Sequence, residues 1–128
     1  MERRLSRLFF VAGALSAAVA VGLGAFAAHG LRARLTPDLL ATFEIGVRYQ
    51  MYHALALLAV AWAETRWTSG AIGAAGVLFL IGTLIFSGSL YVLVLTGQKW
   101  LGAVTPLGGL AFIAGWLLLA WGAWTAAP

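Results

Sequence analysis

Most of the residues in this chain that could do chemistry crowd into one stretch, FEIGVRYQMYH at residues 43–53. On a helix, Glu44, Arg48 and Tyr52 recur at i+4 steps, and Tyr49 and His53 form an adjacent row. A carboxylate, a guanidinium and an imidazole on neighbouring rows can hold an ion pair, bind a polar ligand or pass a proton. His29, Ser87, Ser89 and Thr105 are the other polar side chains in apolar surroundings, and their hydroxyl and imidazole groups could complete a pocket. Other chemistries lack their residues. There is no cysteine, which removes disulfides, thiolate zinc, iron–sulfur clusters and cysteine nucleophiles. His29, His53 and a glutamate have no metal-ligand or haem spacing. Ser87 and Ser89 have no triad-like acid and base beside them. Gly22-Leu23-Gly24 lacks the strand that a nucleotide fingerprint follows. The expectation is therefore no catalytic residue, no metal and no cofactor, in a protein that is not an enzyme.

The elements that must position these residues follow from composition. Hydrophobic residues make up 62% of the 128 and charged ones 9%, against roughly 45–50% and 25% in a soluble domain. That is a membrane composition, with room for about four spans of roughly 20 residues in one domain. The net charge of +4 comes from scattered arginines and a lysine, so it speaks of topology and anionic lipid rather than nucleic acid. The expected spans cover residues 8–28, 44–63, 71–95 and 101–124. The first follows MERRLSR and could imitate a secretory signal, but its charge-free run exceeds the usual h-region of about 7–15 residues, and a retained span is expected. Thr36-Pro37-Asp38 reads as a helix start, with a hydroxyl cap, a first-turn proline and an acid at the positive end of the dipole. The second helix should therefore begin with an amphipathic extension outside the core. Ser87-Gly88-Ser89 interrupts the third span in sequence and could loosen it.

An all-α, up-down-up-down four-helix membrane bundle puts Trp62, Trp67, Trp121 and Trp124 on one side and Trp100 on the other, as interfacial tryptophans require. The arginines before the first span favour both termini in the cytoplasm. Ala14, Ala18 and Gly22 on the first span, and Gly108, Ala111, Gly115 and Gly122 on the last, are expected to let helix backbones approach closely. The same topology places His29, Glu44, Arg48, Tyr49, Tyr52, His53, Ser87, Ser89 and Thr105 in one half of the membrane, where they could wall a polar pocket. The leading reading is a non-enzymatic protein that binds or stabilises a membrane protein partner, a lipid headgroup or a second copy of itself there. The alternative is an oligomeric transporter or proton-coupled channel using Glu44, Arg48 and His53.

Four segments carry a resemblance. GAFAAHGL (24–31), FEIGVRYQMYHAL (43–55), FSGSLY (86–91) with LTG (95–97), and TPLGG (105–109) with GWL (115–117) resemble, in order, the signatures of bacterial members of domain-of-unknown-function family 423, the transmembrane protein 256 group. The likeness covers about residues 8–120, with Ala27 where the family usually has glycine. It implies a four-helix multi-pass protein of the bacterial cytoplasmic membrane and supplies no catalytic residues to carry over.

Overall fold

The computed structural model describes residues 2–127. Four long helices account for most of them: α1 (Glu2–Phe26), α2 (Pro37–Arg66), α3 (Gly70–Thr96) and α4 (Thr105–Thr125). The starts and stops have local causes. Thr36 caps α2 by accepting from the Leu39 N–H at 3.3 Å, Pro37 opens the first turn and Asp38 follows it. Ser69 caps α3 through the Ala71 N–H at 3.2 Å, and Gly97 ends it at φ 75°, a left-handed conformation that favours glycine. Between α1 and α2 the chain widens into a π-helical turn, Ala27–Leu31, which contains His29.

Two expectations need adjusting. Ser87-Gly88-Ser89 does not break α3, which runs unbroken through it. The fourth segment opens as a 3-10 turn, Lys99–Ala103, before the α-helix begins at Thr105. Pro106 has no N–H and its ring would crowd the carbonyl a turn earlier, so it is accommodated at the start of a helix rather than inside one.

Consecutive helices pack antiparallel: α1 along α2, α2 along α3, and α3 along α4. α4 meets α2 at only a few points, and α1 and α4 share no extended interface. The bundle is therefore open on the side where those two helices would close it. Its apolar interior falls into two clusters. One gathers Phe9, Leu57, Val60, Ile72, Phe79 and Phe112 with small alanines, and the other joins Ala27, Leu31, Phe43 and Val94. Between them lies a polar layer.

Glycines set the closest approaches, chiefly between α3 and α4. A Cβ on Gly108 would sit 2.5 Å from the Phe86 backbone nitrogen, and on Gly115 it would meet the Phe79 ring at 2.6 Å. The expected small-residue stripe on α4 is thus its packing face. The stripe on α1 is not. Ala14, Ala18 and Gly22 are exposed, and nothing stands within 4 Å of a Cβ at Gly22. α1 instead presents Phe9, Gly13 and Ala20 to its neighbours, and a Cβ on Gly13 would meet the Ala54 carbonyl at 2.7 Å.

By length and composition α1 with its following turn, α3, and α4 with its preceding turn are apolar enough to cross a membrane. α2 is the longest helix but too polar by that measure. It lies alongside α1 and α3 nonetheless, from the level of Ser6 beside Ala61 to that of Phe43 beside Tyr91.

Candidate functional site

α2 turns its polar residues in two directions. Its buried face reads Gly46, Gln50, His53, Leu57 and Val60, and its exposed face reads Glu44, Arg48, Tyr49, Tyr52 and Leu55. The nine expected pocket residues do not converge on one cavity. The five on α2 divide between these faces, and His29, Ser87, Ser89 and Thr105 lie on other elements.

Inward, Gln50 is 6% exposed and links three helices. Its Nε2 donates to the Ser16 carbonyl of α1 at 2.9 Å, and its Oε1 accepts from the Tyr91 hydroxyl of α3 at 2.6 Å. The Tyr91 ring packs on Phe43 with centroids 5.0 Å apart and covers Gly46, where a Cβ would strike it at 2.7 Å. Ser87 donates to the Gly46 carbonyl at 2.6 Å, so α3 holds α2 by a second bond in the same turn. Ser89 and Thr105 share a hydrogen bond at 2.6 Å between α3 and α4.

His53, 4% exposed, is held on every side. Its Nδ1 lies 2.8 Å from the Tyr49 carbonyl, and its Nε2 lies 3.1 Å from the Trp116 indole Nε1. A carbonyl only accepts and an indole N–H only donates, so the ring must be neutral with its proton on Nδ1. It also stacks on Phe112, with centroids 3.5 Å apart and planes 7° from parallel. Protonation would set a donor against the Trp116 N–H. The geometry is that of a neutral histidine joining α2 to α4.

Outward, Glu44 and Arg48 are exposed, and no ion pair joins them among the described residues. Tyr49 packs one side on Phe86 and meets Tyr52 edge-on at 5.6 Å. Tyr52 is 50% exposed. His29 is exposed in the π-helical turn, apart from buried His53. Among the described residues no three His, Cys, Asp or Glu side chains come close enough to hold a metal ion.

Four residues that matter here were not among the candidates: Gln50, Tyr91, Ser16 and Trp116. Signals for two of them were available. Gly46, Gln50, His53 and Leu57 recur at i+4, i+3 and i+4, the stripe of a packed helix face, and this phase turns Gln50 inward. Tyr91 closes the FSGSLY segment one turn from Ser87. Ser16 contributes only its backbone carbonyl, which no side-chain pattern reveals.

An all-helical protein with three strongly apolar helices and a polar one packed among them is an integral membrane protein of the multi-helix type. The comparisons carry this further: the family described as Protein of unknown function (DUF423) matches residues 23–109, and the chain belongs to that family. The UPF0382 membrane protein YwdK of Bacillus subtilis (strain 168) is 46% identical over 114 residues, covering 88% of this chain and 93% of that one. The UPF0382 membrane protein SAB0533 of Staphylococcus aureus (strain bovine RF122 / ET3-1) is 49% identical over 113 residues, covering 88% and 92%. No solved structure matches.

Proposed function

We propose that this chain is a non-enzymatic multi-pass protein of the bacterial cytoplasmic membrane, with α2 as a fourth span and both termini in the cytoplasm. Its role is assembly: the exposed face of α2 is covered by a second copy of the same chain. The observation that carries this reading is the depth of Arg48. Gly46 bonds to Ser87, and α3 continues beyond Ser87 for about 13 Å at 1.5 Å per residue. Arg48, half a turn deeper than Gly46, thus faces outward well below the helix ends. A lipid-facing arginine at such depth costs at least about 2.5–3.5 kcal/mol unless it is paired or reaches the interface. Glu44 lies one turn away on the same face, so across a two-fold axis each acid can meet the partner's arginine and each arginine the partner's acid. Tyr49, Tyr52 and Leu55 extend the face. The transport alternative is less well supported, because Glu44 and Arg48 face out while His53 is enclosed.

The chain has no cysteines, so a Tyr52→Cys variant provides a clean oxidative cross-link in native membranes. A cross-linked dimer is expected. Glu44→Arg alone should weaken it and Glu44→Arg with Arg48→Glu should restore it. Single reversals without effect, or a double reversal that restores nothing, would refute the self-pairing. Cross-linking to a different protein would instead assign the face to a heterologous partner.

A further inference from the structure

A groove of about 850 Å³ opens between the first turns of α1 and the last turns of α2, at the opposite end of α2 from Glu44 and Arg48. We propose that it is a binding site for an anionic phospholipid, with the phosphate between Arg3 and Arg7 and an acyl chain laid over Phe10 and Leu58. Ser6 fixes the two helices here by donating to the Ala61 carbonyl at 2.9 Å. Arg3 and Arg7 stand one helical turn apart on one row and both line the groove.

The donors in this groove are the guanidinium groups. The Ser6 hydroxyl proton is spent on Ala61, and the Thr65 hydroxyl donates to the Trp62 carbonyl at 2.6 Å. Neither hydroxyl has a proton left for a ligand, whereas Arg3 and Arg7 show no partner among the described residues. Among the described residues Glu64 is the one acidic residue in the lining, and its Oε1 lies 3.2 Å from where a Cβ on Gly73 would stand. One oxygen of its carboxylate therefore lies on the α3 side, and the two arginines outnumber it in the described lining. Two arginines offer the forked donors that phosphate oxygens accept in pairs.

The rest of the lining decides the kind of anion. Phe10 and Leu58 continue the groove toward the apolar length of both helices, and Trp62 stands at its edge with Trp67 packed edge-on at 5.5 Å. Tryptophans mark the headgroup boundary. A small soluble anion would leave that apolar wall uncovered, and a zwitterionic lipid would answer the arginines with no net charge. An anionic headgroup with a chain matches both ends.

The test uses the full chain in nanodiscs containing phosphatidylglycerol and phosphatidylcholine, followed by native mass spectrometry after gentle release. Phosphatidylglycerol should be retained in preference, and Arg3→Gln with Arg7→Gln should lower its retention about 10- to 30-fold, from the attraction each surface arginine contributes. Arg4→Gln removes a charge at the same end without touching the groove lining and should change retention by no more than about fivefold, the general surface attraction of a single arginine. Equal retention of both lipids would overturn the proposal. So would a loss in Arg4→Gln as large as in the double variant, since that would be diffuse surface attraction. Displacement by millimolar inorganic phosphate would assign the arginines to soluble anions and overturn the lipid assignment as well. Because none of these variants touches Glu44, Arg48 or Tyr52, failure here leaves the dimer reading standing, and the reverse holds too.

Discussion

Removing the Gln50–Tyr91 hydrogen bond offers the most direct test of the polar layer. Gln50 carries two interhelical bonds, to the Ser16 carbonyl and from Tyr91, at 2.9 Å and 2.6 Å. Interhelical side-chain bonds in membrane proteins average about 0.6 kcal/mol and reach about 1.7. Tyr91→Phe deletes one bond and leaves Oε1 of a buried amide without its donor, for an expected loss of about 0.6–1.7 kcal/mol. Gln50→Leu deletes both bonds, and two such terms sum to about 1–3 kcal/mol. The Ser16 carbonyl loses only an extra donor, and leucine is as apolar as lipid, so the lower half of that range is favoured. In the double variant the Tyr91 bond is counted once, so the coupling energy of the cycle should equal that bond, about 0.6–1.7 kcal/mol. The assay is equilibrium unfolding by denaturing detergent from a mild-detergent micelle, with helicity and tryptophan fluorescence as separate probes. Additive single effects, with a coupling indistinguishable from zero, would refute the claim that these two side chains hold α2 to α3.

Two further outcomes rest on packing and tautomer. Gly108→Ala should destabilise the α3–α4 pair by about 1–3 kcal/mol, because its Cβ would meet backbone atoms of Phe86 that cannot rotate away; Gly22→Ala, with nothing within 4 Å, should be neutral or mildly stabilising in the same unfolding assay. Nitrogen NMR of labelled His53 should report the neutral ring with its proton on Nδ1, and Trp116→Phe should perturb Nε2 far more than Nδ1; an Nε2–H ring would contradict the hydrogen bonds at 2.8 Å and 3.1 Å.

The helices were legible because their signals are redundant. Charge-free runs and Thr36-Pro37-Asp38 at one boundary point to the same elements. What spacing left open was the rotation of each helix about its axis. On α2, charge and i+4 spacing made Glu44 and Arg48 pocket candidates, yet spacing alone does not say which row is packed, and both face outward. Gln50 is the residue that turns inward, next to the glycine that makes room for Tyr91. On α1, small residues occur on every face, so Ala14, Ala18 and Gly22 mark a regular row without marking the packed one. Close approach there is decided by Gly13 against Ala54. Ser87, Ser89 and Thr105, expected to complete a pocket, bond between helices to protein atoms, Ser87 to the Gly46 carbonyl and Ser89 with Thr105.

The polar interior of α2 bears on how such a chain reaches its membrane. A helix with Gln50 and His53 on one face and Glu44 and Arg48 on another is a poor candidate for lateral release into lipid by itself, whereas α1, α3 and α4 have the apolar length to partition singly. The first partner available to α2 during synthesis is α1, and the Ser16 carbonyl and the Gly13 notch belong to that helix. α1 and α2 therefore suit entry as a preformed hairpin, with the Gln50–Ser16 bond already made and the one from Tyr91 still to come. The order of the helices along the chain then doubles as an order of assembly.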